Sequence, residues 1–217
     1  MHIPEAILAG TEHGREILAA GAMLTAAGTA VGLKKIDYER IPQIAVLCAA
    51  FFVISAIHVP LGPTSVHLVL CGLMGLVLGW AAFPAVLVAL LLQSVFLSFG
   101  GLTALGLNTL IMAAPAVACY YLFGWAVRTR HEPLVATAAF AAGSFGLLLG
   151  ALLAAVSLFA AGKSFEVFGQ VVMGVHLLTA VVEGLVTGSV VVLLRKVRPE
   201  LLDAPLLSPS VREAAHG

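Results

Sequence analysis

Apolar residues fall along this chain in long blocks separated by short polar or Gly/Pro-rich breaks. The blocks predict seven helical spans, over 17–33, 41–57, 66–83, 84–99, 102–127, 134–161 and 167–194. Pro42, Pro60 with Gly62-Pro63, Pro84, Gly100-Gly101 and Pro133 punctuate the breaks, as residues that interrupt or redirect a helix should. A hydrocarbon core of about 30 Å needs about 20 residues at helical rise, so the first two spans are short and should extend into their flanks. The break at Trp80–Pro84 fits a kinked helix as well as two separate spans. Small residues four apart recur: Ala45 and Ala49, Gly75 and Gly79, Gly28 and Gly32, Gly146 and Gly150. In lipid such spacing lets helix backbones pack closely, within the bundle or against a partner subunit.

Composition sets the class. At 61% hydrophobic and 10% charged, with mean hydropathy +1.08, the chain cannot present a soluble domain's polar surface. The expected fold is an all-α polytopic membrane protein. Net charge is zero, so no nucleic acid partner is indicated. Cys48, Cys71 and Cys119 lie in apolar segments and should pack as small apolar groups, with no disulfide framework or zinc cluster. Glu5, Glu12 and Glu16 stand where a signal peptide would be basic, so no cleavable signal is expected.

The cations orient the spans. Seven crossings with the amino end outside put Lys34, Lys35, Arg40, Arg128, Arg130, Arg195, Lys196, Arg198 and Arg212 inside, and only Arg15 and Lys163 outside. The expected organisation is an amino-terminal segment over 1–16, a seven-helix transmembrane domain over 17–196 and a cytosolic tail over 197–217, in the bacterial inner membrane.

The start, Met1-His2-Ile3-Pro4, reads as chemistry. Bulky His2 should keep Met1 in place, leaving a free amine after deformylation. That amine, the His2 backbone nitrogen and the His2 ring Nδ1 can close two fused chelate rings around one ion. Three nitrogens in a plane suit Co(II), Ni(II) and Cu(II). His67, in Gly62-Pro63-Thr64-Ser65-Val66-His67-Leu68, is the best candidate for a fourth ligand. Four nitrogens so disposed select against Mg(II) and Ca(II), which take oxygen, and against tetrahedral Zn(II). Further polar candidates within or beside the spans are His58, Gln93, Ser94, Asn108, His176 and Glu183, since an unpaired polar group in lipid is costly. Each also has a structural reading: His176 as a satisfied interior histidine, Glu183 as a hydrogen-bonded packing carboxyl.

Enzyme signatures fail. His131-Glu132-Pro133-Leu134-Val135 lacks the second His of a zinc protease helix, and Gly162-Lys163-Ser164 lacks the upstream Gly of a phosphate loop, where Ser157 stands. The chain itself should bind no ATP.

Met1-His2-Ile3-Pro4-Glu5, the His67 loop, and Gln93 followed by Gly100-Gly101-Leu102-Thr103-Ala104-Leu105-Gly106-Leu107-Asn108 together resemble the CbiM/NikM family, the metal-binding membrane subunits of energy-coupling-factor (ECF) cobalt and nickel importers. The resemblance implies an S-component bundle with an extra amino-terminal helix. Its amino end tucks back, so that the Met1 amine, the His2 nitrogens and the His67 ring hold the metal. It also implies a transmembrane coupling subunit, two cytosolic ATPases and often a small accessory membrane protein, in the service of cobalamin biosynthesis. Relatives commonly carry Gly after the acidic fifth residue; Ala6 stands here, so the turn beyond the metal head must be made differently. With no soluble domain after the last span, Co(II) is the expected substrate and Ni(II) the alternative. A self-sufficient secondary transporter, using His176 and Glu183 as an intramembrane relay, is the competing class.

Overall fold

The computed structural model describes residues 3, 8, 10, 11, 13–57, 59–61, 64–162 and 166–202. Its first long helix, α1 (Gly14–Lys34), buries a stripe of small residues, Gly14, Gly21, Thr25, Gly28 and Gly32, and exposes Met23, Leu24 and Leu33. This reverses the amphipathic helix of a soluble protein. Large apolar side chains lose nothing by facing lipid, whereas small ones let backbones meet. Gly21 abuts the backbone of Leu107, Gly28 the ring of Phe83, and Gly32 the Trp80 carbonyl and Pro84. The Thr25 hydroxyl donates to the Gly106 carbonyl at 2.6 Å.

A 3-10 turn, Tyr38–Arg40, leads into α2 (Ile41–Ala56), whose Ala45 and Ala49 are exposed. A two-stranded antiparallel hairpin follows, β1 (Val59–Leu61) and β2 (Thr64–Val66), with Val59 opposite Val66. Then come α3 (Cys71–Leu78), a 3-10 turn Gly79–Ala81, α4 (Ala82–Leu97), α5 (Leu105–Val127), α6 (Glu132–Ala161), α7 (Glu166–Val197) and a final 3-10 turn, Pro199–Leu202.

The short α3 is the centre of the bundle: all of its residues are buried. It fits because it carries glycine where neighbours come closest. Gly75 sits on the Ala116 carbonyl of α5, and Gly72 on the Ala142–Gly143 peptide of α6. Gly79 ends the helix at φ 56°, ψ −124°, a conformation that glycine adopts without the clash a Cβ would bring.

Two expectations need correcting here. The predicted spans 66–83 and 84–99 form one continuous helical stretch, Cys71–Leu97, so six helices rather than seven are long and apolar enough to cross a bilayer among the described residues. The break at Trp80–Pro84 is a 3-10 turn and not a loop. Pro84 lies in the first turn of α4, where its missing N–H leaves no helical bond unmade. The second correction is the start of this stretch: residues 67–70 are non-helical, and the helix begins at Cys71.

At one end of the bundle, a cavity of about 700 Å³ is lined by Asp37, Arg40, Gln43, Val77, Leu194 and Leu201 among others. Here the Pro199–Leu202 turn works as a strap. The Leu201 carbonyl accepts from Arg40 Nη2 at 3.2 Å and Gln43 Nε2 at 3.0 Å, and the Leu202 carbonyl accepts from Arg128 Nε at 3.1 Å. Leu202 is buried.

Because the α3–α5 contact has no room for a side chain, Gly75→Val should be among the most damaging single changes. The expected loss is at least about 1–3 kcal/mol, as for other overpacked cores. Thermal unfolding in detergent, followed by size-exclusion chromatography, checks it; unchanged stability would show that the two helices are not in contact.

Candidate metal-binding site

His67 is buried, at 3% exposure, on the non-helical segment that joins β2 to α3. Its ring Nδ1 lies 3.2 Å from the Leu68 carbonyl oxygen. A carbonyl can only accept, so this contact requires the proton on Nδ1 and makes Nε2 the lone-pair nitrogen of the ring. Two residues on, the Val69 N–H donates to Glu183 Oε2 at 3.1 Å, and the N–H groups of Leu70 and Cys71 face the same carboxyl. Leu70 holds a left-handed backbone, φ 54°, as it turns the chain into α3. For a non-glycine residue that conformation costs about 1–3 kcal/mol and persists only where the surroundings impose it. Glu183, fully buried on α7, does so by engaging the N–H groups at the start of α3. These are orphan donors at any helix start, and local sequence supplies no cap: Leu70 occupies the N-cap.

The second element is Asn108, buried near the start of α5. Its Oδ1 accepts from the Ile3 N–H at 2.9 Å and its Nδ2 donates to the Ile3 carbonyl at 3.1 Å. One side-chain amide thereby satisfies both polar groups of a buried peptide residue, as a neighbouring β-strand would. Ile3 itself is 4% exposed. The residue next to His2 is therefore pinned inside the bundle. Gly75 sits on Ala116 and Gly79 on Tyr120, so α3 and α5 run in the same direction. His67 and Asn108, each eight residues before the first of those contacts, thus lie toward the same end of this helix pair.

Of the other candidates, His176 and Glu183 are both buried on α7, seven residues apart. Gln93 is a cross-brace: its Nε2 donates to the Phe52 carbonyl at 2.8 Å and to Ser55 Oγ at 2.7 Å, tying α4 to α2. Ser94 is half-buried. Met1, His2 and His58 lie outside the described residues. Among the described residues, no group of three or more His, Cys, Asp or Glu side chains could hold a metal ion. A site built on His67 therefore needs donors from elsewhere, and Met1, His2 and His58 are the candidates the sequence offers outside the described residues. The backbone of Ile3 as the thing Asn108 grips is not visible in the sequence, nor is the loop that Glu183 holds; only their status as polar residues within apolar spans marked them out.

A helical bundle shaped for lipid, with a histidine on a clamped interior loop and Ile3 and Leu8 buried within it, defines a polytopic membrane protein. Two solved structures share this architecture: a transition metal transporter with TM-score 0.72 and 25% identity, covering 91% of this chain and 93% of its own, and a truncated one with TM-score 0.71 and 22% identity, covering 92% and 99%. The family model for CbiM, the cobalt uptake substrate-specific transmembrane region, matches residues 2–201. The chain belongs to the CbiM family of membrane components for cobalt and nickel transport. A Haemophilus influenzae protein named for metal transport is 42% identical over 94% of this chain and 97% of its own length. The cobalt transport protein CbiM of Sorangium cellulosum is 32% identical over 75% of this chain and 76% of its own. The fused nickel transport protein NikMN of Rhodobacter capsulatus is 34% identical over 84% of this chain, which spans only 59% of that longer protein.

Asn108→Leu keeps the volume near Ile3 and removes both hydrogen bonds, at a cost of about 1–3 kcal/mol for groups left buried without partners. Hydrogen exchange at the Ile3 amide should accelerate by about tenfold or more while the helices stay protected. An unchanged rate would mean that something else holds the segment.

Proposed function

We propose that this chain is the substrate-capturing subunit of an ATP-driven, ECF-type importer, taking up Co(II), with Ni(II) as the alternative cargo. The ion is held by the Met1 amine, the His2 backbone and ring nitrogens, and the His67 ring. The observation that carries this reading is the pinning of Ile3 by Asn108, which anchors the residue beside His2 in the interior, toward the end where His67 lies. An all-nitrogen site suits late first-row divalent ions and disfavours Mg(II) and Ca(II). Cobalt is favoured by the family description, a cobalt uptake substrate-specific transmembrane region, and relatives named for nickel transport keep Ni(II) as the alternative. The fused relatives also support the view that this subunit works beside other transporter components. On this reading a membrane coupling subunit, two cytosolic ATPases and a small accessory protein complete the importer, and none of the ATP chemistry resides here.

On the same reading the helical stretch Cys71–Leu97 reverses direction at its 3-10 turn, Gly79–Ala81, which lies at the strap end of the bundle. Val77 and Ala81 line cavities together with Arg40, at the strap end of the bundle, while Gln93 reaches Phe52 and Ser55 near the opposite end of α2. Lys35 and Arg128 lie at the strap end as well, over the rings of Trp80 and Tyr120. Basic residues gather on the cytosolic side. On this reading the strap lies inside and the β1–β2 hairpin outside. Release requires the four-nitrogen site to be broken, either by a reshaped bundle or by protonation of an imidazole, since only the neutral ring binds metal.

Metal titration of purified variants tests the site. His67→Ala, and insertion of one Ala between Met1 and His2, should each abolish tight Co(II) binding with normal membrane insertion, whereas His176→Ala should leave binding largely intact. Binding lost in His176→Ala but kept in His67→Ala would move the site deeper into the bundle. The orientation is tested by cysteine labelling of spheroplasts: an impermeant reagent should reach position 64 from outside but not position 208, and the reverse would overturn uptake as the direction. Gradient-driven uptake into vesicles holding this chain alone would favour a secondary transporter.

A further inference from the structure

One peptide group joins two contacts described separately above. The Leu68 carbonyl that faces His67 Nδ1 and the Val69 N–H that donates to Glu183 belong to the same peptide unit. In a trans peptide the C=O and N–H point in opposite directions, so the three groups line up: Glu183 carboxyl, Leu68–Val69 peptide, His67 imidazole. We infer that Glu183, on α7, is a positioning residue for His67, acting through this peptide to fix which ring nitrogen faces the metal. The inference rests on His67 being a metal ligand, as proposed above.

The physical basis is the orientation of a ligand by what lies behind it. A ligating histidine donates its second N–H to a carboxylate, a carbonyl or a water, and that bond sets its tautomer and ring direction. Here the acceptor is a carbonyl only one residue away, on a loop with no regular structure to hold it. Left alone, the Leu68–Val69 peptide would be free to rotate and the carbonyl with it. Glu183 removes that freedom by taking the N–H on the opposite face. An acceptor on the N–H also polarises the peptide and strengthens its carbonyl as an acceptor in turn. The left-handed Leu70 adds a second reason: the backbone there is strained, and the same carboxyl holds it. Two other polar groups near Glu183 are engaged elsewhere. Cys119 Sγ is engaged with the Ala142 carbonyl, and the Ser144 hydroxyl with the Ala180 carbonyl.

The experiment uses the full-length chain in detergent, with Ni(II) as the probe, because its visible absorption reports the number of nitrogens in the plane. Two substitutions separate the possibilities. Glu183→Met keeps the buried volume but offers no oxygen to Val69; Glu183→Gln keeps an oxygen and loses the charge. Glu183→Met should weaken Ni(II) binding about tenfold, the lower end of what loss of an outer-shell partner costs, and should move the absorption band toward that of His67→Ala. Glu183→Gln should restore the wild-type band. In the double variant His67→Ala/Glu183→Met the affinity should equal that of His67→Ala alone, since the second change can act only through the first. Val69→Pro removes the same N–H from the other partner, and should reproduce the Glu183→Met band if that variant cannot be obtained folded. A wild-type band and affinity in Glu183→Met, or losses that add in the double variant, would overturn the link to His67. Wild-type protein showing no four-nitrogen band would instead overturn the metal site on which the inference stands.

Discussion

The closeness of α3 to its neighbours governs the rest of this structure. An eight-residue helix cannot span a bilayer, and its two ends carry orphan backbone groups that lipid will not satisfy. It survives only because Gly72 and Gly75 let the backbones of α5 and α6 press against it, and because a carboxyl from α7 faces its first N–H groups. Van der Waals contact between backbones replaces the hydrophobic effect as the cohesive force here, since lipid is as apolar as the core. The His67 loop inherits its position from this arrangement: it is the stretch of chain that bridges the β1–β2 hairpin to a buried helix start.

Two clamps then define the candidate site, and both act on backbone. Asn108 grips the peptide groups of Ile3, and Glu183 grips the N–H of Val69. Side chains that hold main chain in this way tolerate changes in the held residue's side chain, but not the loss of the clamp. A site that must open to release its ion benefits from the division, because either clamp can be loosened while the helices remain packed.

How far the sequence revealed this follows from the range of each interaction. Spans α1, α2, α5, α6 and α7 were legible because an apolar run long enough for the bilayer is a property of contiguous residues. The stretch from 66 to 99 was not. Its helix starts at Cys71 because Glu183, over a hundred residues away, supplies what Leu70 cannot, and its middle is a 3-10 turn where the sequence left a kinked helix and two separate spans both open. His67 was legible through its Gly-Pro-flanked loop. Asn108 and Glu183 were legible as polar residues out of place, but their partners were not, since a backbone N–H or carbonyl leaves no signature in residue type. The strap at Leu201 and Leu202 went unseen for the same reason: Arg40, Gln43 and Arg128 bind its carbonyls.

That strap gives α7 the mechanics of a lever. The helix is clasped at one end by three hydrogen bonds to the turn that follows it, and carries Glu183 sixteen residues back from Pro199, about 24 Å along its axis at 1.5 Å per residue. A rod pivoting by about 5° at the clasp sweeps a point at that radius through roughly 2 Å, enough to carry a 3.1 Å hydrogen bond out of range. A tilt of that size at the strap would reach the His67 loop as a loosening of Glu183's hold on the Val69 N–H.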